Sequence, residues 1–121
     1  MSAADLDENE LRGLLTRALE IKQSPPAGPG KGPLAGRMVA LLFEKPSART
    51  RNSMEMAVVQ LGGHPMYIQG DEVGMDVRES AEDVTRTLAC FHACIGARVF
   101  GHSTVERMAA VDQVPVVNML S

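Results

Sequence analysis

Residues 38–51 read MVALLFEKPSARTR, an apolar run that enters a polar loop rich in hydroxyl and guanidinium groups. The apolar residues 38–43 predict a buried strand. An amphipathic helical pattern begins directly after the loop, near Asn52. A helix that starts there leaves its first backbone N–H groups unpaired and pointing the same way. Because the helix dipole adds partial positive charge at that end, the turn predicts an anion site.

The side chains of the loop favour the same chemistry. Ser47 and Thr50 supply hydroxyl groups, and Arg49 and Arg51 supply guanidinium groups. A guanidinium group presents a rigid fork of donors that matches the oxygens of a phosphate or carboxylate two at a time. A capped helix with solvated arginines would use the same residue types, so the loop alone leaves both interpretations open.

Beyond this loop, strand and helix patterns alternate along the chain. Strands are predicted at residues 37–43, 64–69, 93–100 and 115–119, with helices between them. Such alternation predicts an α/β fold with a four-stranded parallel sheet flanked by helices. In parallel sheets ligands bind at the carboxyl ends of the strands. The loops at residues 47–51 and 98–102 are therefore expected on the same edge of the sheet.

The remaining segments have their own signals. Residues 7–22 predict a helix with a leucine stripe and a capping pair, Asp7 and Glu10. The Pro/Gly-rich residues 24–36 predict a connector, and the Gly-Lys-Gly within them lacks the spacing of a nucleotide loop. The last helix is predicted to begin at Ser103, with Glu106 completing a capping box. Two inward-facing stripes are predicted on the middle helices: Met54, Ala57, Val58 and Leu61, and Val84, Leu88 and Phe91.

Composition sets the outer limits. The chain has 121 residues, enough for one domain with a real core, and a formal net charge of −3, which argues against a nucleic-acid partner. No apolar run approaches the roughly 20 residues of a membrane span, and the N-terminus does not resemble a signal peptide. Cys90 and Cys94 are interpreted as reduced cysteines one turn apart on a helix, not as metal ligands. A cytoplasmic protein without membrane contact is the expectation.

Several motifs in the same order resemble one enzyme family. The loop FEKPSARTR at 43–51 is followed by Ser53-Met54-Glu55, Arg78-Glu79-Ser80, Arg98-Val99-Phe100-Gly101-His102 and Val114-Pro115-Val116-Val117-Asn118. This series resembles the carbamoyl-phosphate domain of the aspartate and ornithine carbamoyltransferases, a Rossmann-like domain. The resemblance covers residues 37–121, so the domain is expected at 37–121, with a helix and connector at 1–36.

The resemblance implies a substrate and the residues that bind it. Carbamoyl phosphate would be held by Ser47, Ala48, Arg49, Thr50 and Arg98. Arg49 and Arg98 would be the catalytic residues, since they can stabilise the negative charge that develops on the carbonyl oxygen and the departing phosphate. Arg51 would lie behind the ligand in a structural role. No cofactor and no metal are implied.

Two departures from the family pattern bear on specificity. Ala48 stands where the family usually has Thr, which removes one hydroxyl. Residues 71–80 contain no Lys of the aspartate type, and Gly74 occupies the position nearest to a Gln that ornithine-type members often carry. The missing Lys and the Phe100-Gly101-His102 sequence favour ornithine as the acceptor, with aspartate as the alternative.

The resemblance also indicates what the chain lacks. Family members continue with a His-Pro-x-Gln motif and a second domain for the amino-acid co-substrate, and they assemble as homotrimers. The fragment alone is therefore expected to be inactive. A non-catalytic anion-binding or assembly module is the competing hypothesis. A dinucleotide-binding domain is disfavoured because no Gly-x-Gly-x-x-Gly follows the first strand.

The other ionisable residues have plainer interpretations than acid/base catalysis. His64, His92 and His102 are expected at a strand start, on a helix and before a helix cap. Glu72, Asp76 and the acidic residues 79–83 are expected to stabilise helix starts, where negative charge is favourable.

Overall fold

A parallel sheet forms the centre of the fold. The computed structural model describes residues 3–26 and 30–121. Its strands are β1 (Met38–Phe43), β2 (His64–Gln69), β3 (His92–Arg98) and β4 (Val116–Asn118). They form one four-stranded sheet in the order β2-β1-β3-β4, and every neighbouring pair is parallel. The predicted α/β fold with a four-stranded parallel sheet is confirmed.

Helices connect the strands and cover both faces of the sheet. They are α1 (Glu8–Gln23), α2 (Ala48–Gln60), the single turn α3 (Gly70–Val73), α4 (Ala81–Ala89) and α5 (His102–Ala110), with a 3₁₀ turn at Ala3–Asp5. The turn α3 was not predicted. Asp7 and Glu10 form the expected capping box at the start of α1. No residue of α1 is buried, and its leucines Leu11, Leu14, Leu15 and Leu19 are between 36% and 58% exposed.

The central strand β1 divides the core into two clusters. Successive side chains of a strand point to opposite faces of a sheet. Accordingly Val39, Leu41 and Phe43 pack with Val58 of α2 on one face. On the other face Ala40 and Leu42 pack with residues of β3, α4 and α5, among them Ile95, Val84 and Met108. Burial on both faces explains why β1 reads as a continuous apolar run rather than an alternating one.

The register of the sheet brings the strand ends level with one another. Phe43, the last residue of β1, lies opposite Gln69 at the end of β2 and opposite Arg98 at the end of β3. The loops that follow these strands therefore leave the sheet at one height. This register places the loop after β1 beside Arg98, as expected for parallel strands.

Several predicted boundaries were wrong. The third strand ends at Arg98 rather than Phe100, because the last backbone hydrogen bond from the β1 side is the one that the Glu44 N–H donates to the Arg98 carbonyl. The first and fourth strands are also shorter than predicted, by one residue and by two residues. The last helix begins at His102, and Gly101 precedes it without a side-chain cap, so the capping box of Ser103 and Glu106 is not formed.

The segment around the cysteines was assigned to the wrong element. Helix α4 ends at Ala89 and Cys90 is its exposed C-cap, whereas His92 and Cys94 belong to β3. The two cysteines therefore do not share a helix, although both are free. Phe91 is 71% exposed and does not continue the buried stripe of Val84 and Leu88. In the other stripe, Ala57 is exposed and only Val58 is buried.

The connector at 24–36 includes residues 27–29, which lie outside the described residues. Its described residues form no helix or strand. It contacts the turn after α2: the Leu34 N–H donates to the Leu61 carbonyl at 2.9 Å. Gly62 in that turn has φ +90°, and a Cβ there would collide with the carbonyl of Lys31. Glycine is therefore required where this turn meets the connector.

Candidate functional site at the carboxyl ends of the strands

The loop after β1 presents the N-terminus of α2. Ser47 has extended backbone angles, φ −159° and ψ 95°, and is the N-cap of the helix. Its Oγ accepts a hydrogen bond from the Thr50 N–H at 3.4 Å, a long contact for such a bond. The Ser47 side chain therefore caps the helix. The Thr50 hydroxyl takes no part in this cap.

Arg98 joins this loop from the neighbouring strand. Its Nη1 donates to Thr50 Oγ1 at 3.1 Å, a contact between residues 48 positions apart in the chain. The Arg98 Nε is buried and has no hydrogen-bond partner among the described residues. An unpaired buried donor is costly. The guanidinium group is therefore held beside Thr50 with donor capacity that an anion could use.

Ala48 and Arg49 occupy the first turn of α2, and both are exposed. The Ala48 carbonyl accepts from Asn52 Nδ2 at 2.7 Å. Within the described part of the chain, the Arg49 side chain forms no hydrogen bond or ion pair. Ser47, Thr50 and Arg98 are thus brought together by direct contacts, whereas the convergence of Arg49 on the same point remains a prediction.

Arg51, in the first turn of α2, is held by contacts with Tyr67 and Glu55. Its guanidinium carbon lies 3.6 Å from the centre of the Tyr67 ring, and its Nε is 3.3 Å from Glu55 Oε2. These partners line an open cavity of about 400 Å³ with Ser47 and Ala48. A guanidinium group stacked on a ring and paired with a carboxylate has a structural role of its own.

A second cavity next to the strand ends involves Glu44, which the sequence did not single out. Glu44 Oε1 accepts from the Phe100 N–H at 3.1 Å. A cavity of about 250 Å³ opens here, between the ends of β1 and β3 and the segment 70–78. The sequence offered no local signal for this contact, because its two residues are 56 positions apart.

Gly74 lies in that cavity wall, at the position nearest to the Gln of ornithine-type relatives. It has φ +59° and forms the left-handed C-cap of α3. A Cβ at this position would collide with the Arg78 side chain. The left-handed backbone favours glycine here, and Arg78 occupies the space that a larger side chain would need.

The histidines and acidic residues have the burial and contacts of structural residues and not of acid/base catalysts. His92 is buried at the start of β3, and burial lowers the pKa of its imidazole. His64 opens β2 at the same amino-terminal edge, away from the site. His102 begins α5, with its Nδ1 2.7 Å from Ser121 Oγ. Glu72, Asp76 and Ser80 each accept a backbone N–H at or beside a helix start.

In residues 3–26 and 30–121, no group of three or more His, Cys, Asp or Glu side chains could hold a metal ion. None of the helices described there is long and apolar enough to cross a bilayer.

These features define a class of protein. A parallel α/β sheet carries, at the carboxyl ends of adjacent strands, a helix N-terminus flanked by Arg49 and Arg98. Helix N-termini and guanidinium groups both bind anions. The class is therefore an α/β domain whose strand ends carry groups suited to binding an anion.

Comparison with known proteins names the family. The family model described as "Aspartate/ornithine carbamoyltransferase, carbamoyl-P binding domain" matches residues 1–121. The chain belongs to this family and corresponds to its carbamoyl-phosphate-binding domain, as the sequence motifs predicted.

Individual relatives agree. The ornithine carbamoyltransferase of Thermus thermophilus is 47% identical over 112 residues, which are 93% of this chain and 36% of that protein. The one from Hyperthermus butylicus is 43% identical over 122 residues, 100% of this chain and 39% of that protein. The crystal structure of the anabolic ornithine carbamoyltransferase from Campylobacter jejuni superposes with a TM-score of 0.88 at 28% identity, covering 100% of this chain and 39% of that one. The chain thus spans about two fifths of the length of the curated relatives it matches.

One solved relative contains ligands. A variant of N-acetyl-L-ornithine transcarbamylase, complexed with carbamyl phosphate and N-succinyl-L-norvaline, superposes with a TM-score of 0.83 at 30% identity. The match covers 98% of this chain and 41% of that protein.

Proposed function

We propose that this chain binds carbamoyl phosphate between the N-terminus of α2 and Arg98, and contributes that site to an ornithine carbamoyltransferase. The single observation that carries the proposal is the 3.1 Å hydrogen bond from Arg98 Nη1 to Thr50 Oγ1. This bond joins the loop after β1 to the end of β3. The Arg98 Nε has no protein partner among the described residues. Ornithine is favoured because both relatives compared by sequence are named ornithine carbamoyltransferase.

The chemistry suits these residues. The amine nitrogen of ornithine attacks the carbamoyl carbon, and a new C–N bond forms while negative charge develops on the carbonyl oxygen. The C–O bond to phosphate then breaks, the phosphate leaves with the electron pair, and the amine loses its proton. Arg49 and Arg98 would hold that developing charge with fixed donors. Neither acts as an acid or base, because a guanidinium group stays protonated at any working pH.

The ligand set of the proposal is Ser47, Ala48, Arg49, Thr50 and Arg98. Ala48 contributes only its backbone N–H, which lies in the first turn of α2 and has no acceptor within the helix. The Thr50 hydroxyl can accept from Arg98 and at the same time donate to a phosphate oxygen. Ser47 has its Oγ near the Thr50 N–H, so its own hydroxyl hydrogen remains available for a phosphate oxygen.

The proposal extends to the whole protein. By the family resemblance, a second domain would bind the amino acid, and the assembled enzyme would be a homotrimer in the cytoplasm with no nucleic-acid or membrane partner. Light scattering of a full-length family protein that contains this domain would test the assembly. A fully active monomer would contradict it.

Binding by the chain tests the site directly. Isothermal titration with phosphonoacetamide, a phosphonate that cannot transfer its carbamoyl-like group, should give one site per chain. Arg49→Ala and Arg98→Met should each weaken binding about 10-fold or more, because each removes a charge-assisted hydrogen bond. Arg86→Met is the matched control, since Arg86 lies on α4 and pairs with Asp83 at 2.9 Å. Equal affinities of the wild type and both site variants would refute the proposed site.

A further inference from the structure

The backbone that carries Arg98 is held by one residue of the neighbouring loop. The Glu44 N–H donates to the Arg98 carbonyl at 2.9 Å, which continues the β1–β3 ladder by one step. The Glu44 carboxylate then accepts the Phe100 N–H at 3.1 Å. A side chain thus takes the place of the next ladder acceptor, at the point where β1 has already ended.

Neighbouring residues support this arrangement. The Lys45 ammonium lies 5.7 Å from the centre of the Phe100 ring, so consecutive residues hold the backbone and the ring of Phe100. Gly70 leaves room for the carboxylate: a Cβ there would come within 3.0 Å of Glu44 Cγ. That separation is closer than a side chain normally tolerates.

The negative charge of Glu44 is unexpected next to a proposed anion site. A carboxylate beside an anion site repels the anion, so charge alone would disfavour an acidic residue here. The contact with Phe100 gives Glu44 a structural role, because it fixes the short segment that follows Arg98 at the end of β3. Thr50 fixes the other end of the same side chain.

We propose that Glu44 is a positioning residue, whose carboxylate holds the backbone two residues after Arg98 in place so that the guanidinium group meets the phosphate of the ligand. This inference rests on the proposed function, because it presupposes that Arg98 binds the anion. It predicts that removing the Glu44 carboxylate altogether weakens anion binding because the Phe100 N–H loses its acceptor, although the lost negative charge alone would strengthen it.

Three variants of the 121-residue chain separate these effects, with inorganic phosphate as the probe. Glu44→Ala should weaken phosphate binding about 10-fold, the scale of one lost charge-assisted hydrogen bond. Glu44→Gln keeps an acceptor oxygen and should bind phosphate at least as tightly as the wild type. Asp71→Asn is the control: Asp71 lines the same cavity, and its loss of charge should leave phosphate binding unchanged or tighter.

Hydrogen exchange gives a readout that does not depend on the ligand. The Phe100 amide should exchange faster in Glu44→Ala, and as slowly as in the wild type in Glu44→Gln and Asp71→Asn. Unchanged or tighter phosphate binding by a folded Glu44→Ala chain would overturn the proposal, as would a lower unfolding midpoint without a change in affinity. If the wild type binds no phosphate, the proposed site fails. If the wild type binds no phosphate but the Phe100 amide still exchanges slowly in a Glu44-dependent way, the contact has only a structural role. The proposal that Glu44 positions Arg98 for an anion would then be refuted as well.

Discussion

Replacement of Arg98 by Met removes the guanidinium group and keeps much of the apolar stem. Arg98 is half-buried, it donates to Thr50 at 3.1 Å, and its Nε has no partner among the described residues. The side chain therefore has fixed geometry and unused donors before any ligand arrives. Loss of a preorganised donor of this type costs about 2.7–4 kcal/mol of transition-state stabilisation. In a full-length family protein that contains this domain, kcat should fall about 10²–10³-fold.

The assay is the initial rate of citrulline formation at saturating ornithine and varied carbamoyl phosphate. Arg98→Lys should recover only part of the loss, because an ammonium group keeps the charge but not the planar fork. Arg86→Met on α4 should stay near the wild-type rate, as surface substitutions usually change little. A kcat/KM for Arg98→Met within about threefold of the wild type would refute the reasoning, because such a change is far below the roughly 2.7–4 kcal/mol expected for a preorganised donor.

Three further predictions concern other residues. Ala48→Thr should tighten phosphate binding by about 0.5–1.5 kcal/mol, measured by titration calorimetry, because it restores one hydroxyl in the first helical turn. Arg51→Ala should lower the urea midpoint of unfolding, because the Arg51 side chain contacts Tyr67 and pairs with Glu55. Its effect on phosphate affinity should be smaller than that of Arg49→Ala. Arg107 hydrogen bonds hold the pKa of the Asp76 carboxyl below its ordinary value of 3.8. Its contribution to stability should therefore be complete above about pH 5 and lost progressively as the pH falls further, and Asp76→Asn should lack that part of the acid dependence in urea unfolding.

The strand and helix pattern could be predicted because each signal was local. The run at 38–43 is apolar throughout, since β1 is buried on both faces, and the Pro/Gly residues after α1 exclude regular structure. The parallel pairing followed from alternation with helices, and it correctly brought Arg98 beside the loop at 47–50.

The errors have physical causes that a single sequence does not reveal. Cys90 and Cys94 have helical spacing, yet α4 ends at Ala89, where the Cys90 N–H turns back to the Thr87 carbonyl at 3.2 Å. The residues that follow are drawn into the sheet by pairing with β1. Ser103 and Glu106 match a capping box, but the N-cap is Gly101, so the helix begins two residues earlier than that pattern requires.

Side-chain contacts between distant segments were the least predictable part of the site. The Glu44 contact with Phe100 depends on the register of β1 against β3 and on the residue at which β1 ends. The requirement for glycine at position 74 depends on where the Arg78 side chain lies. Both features follow from tertiary packing and leave no periodic signal in the sequence.

A crystal structure of the chain with phosphonoacetamide tests the central claim most directly. The account predicts the phosphonate group at the N-terminus of α2, with oxygens within hydrogen-bond distance of the Thr50 hydroxyl and of the Arg49 and Arg98 guanidinium groups. A phosphonate bound elsewhere on the chain, with Arg98 left unliganded beside Thr50, would contradict it.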